Sequence, residues 1–167
     1  LLVSGGHCQI LVVKGVGSYK KIGETFDDAV GEAFNKGAHM LGLEYPGGPK
    51  IEQLAKKGDE NRFDFPKPLL PSRTNNGKGQ EFNFSFSGLK TAVRREIEKI
   101  TGKGFDSQFS HQKLNKKDIC DICASFQRTV GDIISNRIEN VIKSLDMPDI
   151  KQLVIAGGAA ANRYIKG

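Results

Sequence analysis

The chain opens on Leu1-Leu2-Val3, an unbroken apolar run that predicts the second half of a buried strand. Ile10 to Lys14 and Tyr19 to Ile22 are strand-like, and Gly15-Val16-Gly17-Ser18 between them supplies a hairpin turn, so a β-meander is expected at the start. Phe26, Ala29, Val30, Ala33, Phe34 and Leu41 then recur at helical spacing as far as Gly42. Thr25 and Asp28 ahead of them have the spacing of a capping box. Pro46-Gly47-Gly48-Pro49 interrupts this pattern. Pro49 suits the first turn of a short helix carrying Ile51, Leu54 and Ala55 and ending near Gly58, which puts a glycine pair at a helix N-terminus.

From Asn61 to Gln80 the residues turn to Pro, Gly, Asn and charge, the composition of a surface connection. Phe82, Phe84 and Phe86 alternate with Asn83, Ser85 and Ser87, which predicts a strand with one buried face. Leu89, Ala92, Val93, Ile97 and Ile100 restore the helical period. After the polar stretch Gly102 to Lys117, a long helix is predicted from about Asp118 to Leu145, with Ile119, Ile122, Phe126, Val130, Ile133, Ile134, Val141 and Ile142 on its core face and Met147-Pro148 as its stop. Gln152 to Ala156 reads as a buried strand, followed by Gly157-Gly158 and an alanine-rich helical start. Strand, glycine turn and helix are the parts of an α/β nucleotide-binding edge. The chain thus reads as beginning inside a strand and ending in a helix just begun, the pattern expected of a piece of a larger fold.

Composition adds three limits. With 38% hydrophobic and 26% charged residues in 167, the chain falls among ordinary globular domains, and no apolar run approaches the roughly 20 residues that cross a bilayer. Three cysteines, Cys8, Cys120 and Cys123, are an odd number and disfavour a disulfide framework, which fits a reducing, cytoplasmic compartment. A formal charge of +6 is compatible with a polyanionic partner such as RNA.

Four glycine-centred segments stand out as candidate chemistry: Ser4-Gly5-Gly6-His7, Gly23-Glu24-Thr25, Gly47-Gly48 and Gly157-Gly158. Glycine lets backbone N–H groups approach a phosphate closely, and a helix N-terminus adds a favourable dipole. None matches a P-loop or a Rossmann glycine pattern, and each alone reads first as a tight turn. Several converging would clasp a nucleotide.

In order along the chain stand Leu2-Val3-Ser4-Gly5-Gly6-His7; Gly23-Glu24-Thr25-Phe26-Asp27-Asp28-Ala29 with Gly31-Glu32-Ala33-Phe34; Gly42-Leu43 with Tyr45-Pro46-Gly47-Gly48-Pro49; Phe84-Ser85-Phe86-Ser87-Gly88-Leu89-Lys90-Thr91; and Ala156-Gly157-Gly158 with Ala161-Asn162-Arg163. In order and spacing these segments resemble the tRNA adenosine threonylcarbamoyltransferase family, formerly described as O-sialoglycoprotein endopeptidases, across essentially the whole chain. The resemblance implies an α/β fold of the actin-like ATPase type, the ribonuclease-H-like architecture of Hsp70 and sugar kinases. Residues 1–167 would be one incomplete lobe of it, with a helical insertion and surface connections at about 61–117. It implies transfer of a threonylcarbamoyl group from threonylcarbamoyl-adenylate to the adenosine beside the anticodon, position 37, of tRNAs reading ANN codons. It further implies ATP, ADP or the acyl-adenylate as ligand, a divalent metal (iron or zinc), tRNA and pathway proteins as partners, and no membrane.

Carried over position by position, the resemblance makes Leu2, Val3, Ser4, Gly5 and Gly6 a substrate-binding segment, Gly48 and Glu52 contacts at the adenosine end, and Asn162 a further nucleotide contact. Asn35 stands where the family usually has an aspartate that accepts from nucleotide hydroxyls; Asn keeps a carbonyl acceptor but loses the charge. Cys8 and His39 replace a more common Thr and Lys. The family's metal-binding His-x-x-x-His, its Asp-Asn motif and its first phosphate loop are not among these residues. No metal ligand or catalytic residue is therefore assigned, and no transferase activity is expected from these residues alone. Two other readings compete: a non-catalytic remnant that binds nucleotide or partner, and a sugar-kinase-like phosphotransferase. The Ser-Phe-Ser-Gly-Leu-Lys and Tyr-Pro-Gly-Gly-Pro segments disfavour the latter, and no His-Glu-x-x-His motif supports an endopeptidase.

Other residues have plainer explanations. Cys120 and Cys123 have half of a zinc or redox spacing but sit in a helical pattern with no second pair, and read as helix packing. His7 adjoins the first glycine loop as a substrate contact or a structural histidine, whereas His39 and His111 are scattered. Lys90, Arg94 and Arg95, with Lys113, Lys116 and Lys117, suit either a tRNA backbone contact or a solvated face, and the interspersed Glu96 and Glu98 favour the solvated face. The alternation of Phe82, Phe84 and Phe86 favours a sheet face over base stacking.

Overall fold

A computed structural model describes residues 1–68, 80–102, 104, 110–144 and 152–167. The opening meander forms as the pattern predicts. Strands β1 (Leu2–Val3), β2 (Cys8–Gly15) and β3 (Ser18–Glu24) make an antiparallel sheet in that order. On the free side of β1 the chain returns in parallel: the Val3 N–H donates to the Ala156 carbonyl at 2.8 Å, and the Ala156 N–H to the Leu1 carbonyl at 2.9 Å.

Among the described residues four helices pack on one another, and their buried side chains share one core with Val3, Cys8 and Ile10 of the sheet: α1 (Val30–Met40), α2 (Gly47–Ala55), α3 (Ser87–Thr101) and α4 (Lys116–Ser144), with a single turn α5 (Arg163–Lys166) at the end. Helix α4 runs through the core, where Ile122, Cys123, Phe126, Val130, Ile133 and Ile134 are buried. Phe126 meets Phe34 of α1 edge to face at 5.3 Å, and Gly37 leaves room for its ring. Gly42 and Gly102 end α1 and α3 in the left-handed region at φ +69° and +67°, as glycine does after a helix.

Several expectations are corrected. Helix α1 begins at Val30, not at the Thr25–Asp28 capping box, because Ala29 is extended and Thr25 Oγ1 is spent in a turn, donating to the Asp28 carbonyl. Phe26, placed on the helix's apolar face by the pattern, is 57% exposed. Phe82 to Phe86 is no strand. Residues Gln80–Phe82 form a 3-10 turn and Phe84 makes one parallel bridge with Thr25, yet Phe84 and Phe86 are buried with rings stacked at 5.9 Å. The alternation was thus correct about burial and wrong about the ladder.

The pattern predicts a buried strand at 152–156, but Leu153 and Val154 are 54% and 59% exposed. Val154 and Ala156 pair with β1 through their backbone, and Ile155 packs against the core. Ile142 likewise is exposed rather than on the core face of α4. The connection after Asn61 is not all surface: Phe63 and Phe65 are buried, and Arg62 reaches Asp118 at 2.6 Å and Asp121 at 2.8 Å, fastening this segment to α4. Residues 69–79 of that connection, part of the polar stretch after Gly102, and the Met147-Pro148 stop lie outside the described residues.

Candidate nucleotide-binding site

One face of α1 assembles the site. Gly31, Asn35 and Ala38 follow at i, i+4 and i+7 and share that face. A Cβ on Gly31 would lie 2.8 Å from the Gly5 Cα, so the first glycine loop rests on the start of the helix. A Cβ on Gly47 would lie 2.5 Å from the Ala38 Cβ and 2.9 Å from the Asn35 Cα, so the α2 N-terminus rests one to two turns further along. Four residues of helix rise about 6 Å, which sets the separation of the two seats along the axis.

The first loop is shaped by Ser4. Its Oγ accepts from the His7 N–H at 2.9 Å, and its carbonyl accepts from the Gly31 N–H at 3.1 Å. Ser4 thus organises a turn whose Gly5 and Gly6 face outward, where an added Cβ would meet no atom within 4 Å. Leu2 and Val3 are its rigid base, Val3 fully buried in the sheet. Beneath it Cys8 is buried, and burial pushes its thiol up to about 12.

The last glycine turn closes against the same strand. Gly157, at φ +107°, sits where a Cβ would be 2.1 Å from the Val3 carbonyl oxygen, so backbone touches backbone and only glycine fits. A 3-10 turn, Gly158–Ala161, leads to Asn162, whose Oδ1 accepts from the Tyr164 and Ile165 N–H groups and caps α5. Glu52 of α2 accepts from the Arg163 N–H at 3.3 Å, which brings the late turn against α2.

Three of the four glycine segments are therefore seated on α1 and β1, and an added Cβ at Gly5, Gly6, Gly48 or Gly158 would meet no atom within 4 Å. The fourth does not join them as a phosphate loop: Gly23 lies in β3, where a Cβ would be 2.2 Å from the Phe82 carbonyl oxygen, so its bareness admits polypeptide. Asn35 and Asn162 are already engaged with protein. Asn35 Oδ1 accepts from the Gly47 N–H at 2.8 Å, and Asn162 Nδ2 donates to Gln127 Oε1 at 2.9 Å. His7 is exposed beside the loop. A depression of about 530 Å³ between α1 and α3 adjoins Asn35, lined also by Glu32, Lys36, His39, Met40, Lys90 and Arg94. Its cations are largely matched by acids: Lys36 binds Asp28 and Glu32 at 2.7 and 2.8 Å, and Arg94 binds Glu98 at 3.1 Å.

The pattern of hydrophobic positions missed Asp27. Its carboxylate accepts from the hydroxyls of Ser85 at 2.5 Å and Ser87 at 2.8 Å, and from the Phe86 N–H at 2.8 Å, capping α3 from a distant loop. Burial pushes this carboxyl up, but the bonds from Ser85, Phe86 and Ser87 outweigh it and hold it below the ordinary range. Gly31 and Ala38, small residues in register with Asn35, were the available signal for the close seats on α1.

The family model described as tRNA N6-adenosine threonylcarbamoyltransferase (TsaD) matches residues 1–167. Proteins of that name are 46% identical in Wolbachia pipientis wMel over 168 residues, 47% in Anaplasma marginale (strain St. Maries) over 169, and 47% in Rickettsia rickettsii (strain Sheila Smith) over 170. These matches cover 99%, 100% and 99% of this chain but 44% of each relative, so the chain spans less than half their length. With the whole of its sequence matched, the chain belongs to the tRNA N6-adenosine threonylcarbamoyltransferase family.

Proposed function

We propose that this chain forms the side of a threonylcarbamoyl-transfer site that holds the adenylate. The observation that carries the reading is the convergence of three glycine segments from distant parts of the chain, seated on α1 and β1 and open where a ligand would approach. Gly5 offers its backbone N–H to phosphate or acyl oxygens, and Gly6, whose N–H donates to Ser4 Oγ at 3.4 Å, leaves the loop surface bare for their approach, on a loop held by Ser4 and by the Leu2–Val3 strand. Gly48 lies in the first turn of α2, whose dipole favours an anion, and Glu52 one turn later supplies an acceptor for a ribose or base donor. Asn35 serves by fixing this turn through Gly47, and Asn162 by capping the helix that follows the late glycine turn.

In the transfer, the adenosine amine of tRNA attacks the carbamoyl carbon of threonylcarbamoyl-adenylate and AMP departs. Donors fixed around the departing phosphate stabilise the negative charge that develops on it, the usual benefit of a preorganised site. The acceptor is tRNA, the intermediate comes from partner proteins of the same pathway, and the compartment is the cytoplasm. The family also implies a divalent metal. Among the described residues no three His, Cys, Asp or Glu side chains converge as a ligand set, so these residues do not fit a metal and no step is derived through one.

The same reading takes residues 1–167 as part of an actin-like ATPase lobe, with 61–117 as insertion and connections. The antiparallel meander and the parallel return at Ala156 support this. Calorimetry of the full-length protein with ADP and ATP tests the binding. Heat that saturates, and that is lost in Gly48→Val, is expected; no heat at millimolar nucleotide overturns the reading.

A further inference from the structure

The geometry points to Gln127 as a positioning residue for the nucleotide site, acting through Asn162. Gln127 lies in the middle of α4 and is 5% exposed, so it is shut off from any ligand. Its Oε1 nevertheless takes the Asn162 Nδ2 hydrogen at 2.9 Å, between two side chains that are both buried. The orientation of both amides is dictated by backbone. Two N–H groups, of Tyr164 and Ile165, point at one end of the Asn162 amide, so that end must be the carbonyl oxygen. The other end must then be the donor, and Gln127 must present an acceptor to it.

Asn162 is the hinge of the late turn. Its N–H donates to the Ala159 carbonyl at 3.1 Å, and the next residue's N–H donates to Glu52. Fixing the Asn162 side chain therefore fixes where Gly158 stands relative to α2. A buried amide pair of this kind specifies one arrangement because leaving either group unpaired is costly. This inference rests on the adenylate reading above, since it names what holds the late glycine turn of that site.

The test compares ADP affinity by calorimetry in the full-length protein. Gln127→Met keeps the volume and loses the acceptor, Gln127→Asn withdraws the amide by one methylene, and Gln127→Glu retains an acceptor. Val141→Ala, in the same helix but away from the turn, serves as a control for stability. The Met and Asn variants are expected to bind ADP ~tenfold more weakly, the scale of one lost hydrogen bond, and the Glu variant within about twofold of wild type. In hydrogen exchange, protection of Tyr164 and Ile165 falls in the Met and Asn variants, while that of Val130 to Ile134 does not. The inference is overturned if both variants bind ADP like wild type, or if Val141→Ala weakens binding as much. Absence of binding in the wild-type protein would remove the adenylate reading and this inference together, which separates the two failures.

Discussion

Asn35 Oδ1 accepts the Gly47 N–H at 2.8 Å, joining the middle of α1 to the first turn of α2. Pro46, the residue before that turn, gives α2 no side-chain cap, so Asn35 supplies from another helix what a local Ser or Asp would otherwise supply. Replacing Asn35 by Ala leaves this N–H without its partner. A loss of about 1 kcal/mol in urea unfolding is expected, with weaker ADP binding in calorimetry. Asn35→Asp keeps an acceptor in place and should preserve both.

The glycines separate packing from ligand approach. At Gly157 a side chain meets the Val3 carbonyl and an unfavourable φ, so Gly157→Ala is expected to cost about 2–4 kcal/mol in stability. At Gly48 an added methyl meets no protein atom and joins a helix, so Gly48→Ala is expected to be neutral or to stabilise by up to ~1 kcal/mol. Any loss of ADP affinity in that variant then comes from contact with the ligand. Thermal melts run beside calorimetry read the two effects apart, and a Gly48→Ala protein that melts as early as Gly157→Ala would contradict the assignment.

What the chain's pattern disclosed, and what it hid, follow from the range of the interactions. The hairpin at Val16-Gly17, the body of α4 and the helix stop at Gly42 were legible because each depends on neighbours within a few residues. The start of α1 was misread because Thr25 and Asp28 have capping chemistry that a distant need redirects: adjacent Asp27 is held toward α3, 58 to 60 residues away. Phe84 and Phe86 announced burial without revealing that a 3-10 turn and one bridge, not a ladder, bury them. For the site, ordered motifs singled out Gly5, Gly48 and Glu52 as candidates. The hydrogen bonds of Asn35 and Gln127 reach partners 12 and 35 residues away, which no local spacing encodes.

The thiols are expected to be silent in the native protein. Cys8, Cys120 and Cys123 are all buried and unbridged, and burial pushes Cys8 and Cys123 up to about 12, leaving almost no thiolate at neutral pH. Treatment with an aromatic disulfide reagent at pH 8 should titrate none of the three in folded protein and all of them in guanidinium. A fast-reacting Cys120 or Cys123 would reopen the redox reading of that spacing.

Acid should undo the attachment of the 58–63 segment to α4. Asp121 is 1% exposed on its side chain and accepts from Lys117 at 2.6 Å, from the Asp59 N–H at 2.8 Å and from Arg62 at 2.8 Å. Burial pushes its carboxyl up, but Lys117, Asp59 and Arg62 prevail and hold it at about 2. A folded-state value below the unfolded one means that the charged form stabilises the fold. This contribution is fully present above the unfolded value, roughly pH 4, and is lost as pH falls toward 2. Asp27, also held below its ordinary value, loses its stabilising share in the same direction as its own carboxyl protonates. Asp121→Asn is therefore expected to lower stability at pH 7 by about 2 kcal/mol, as hydrogen bonds to a charged group are lost, and to flatten the fall in stability between pH 5 and pH 2. Urea midpoints measured across that range check it; a variant whose decline is as steep as wild type would show that other carboxylates govern acid unfolding.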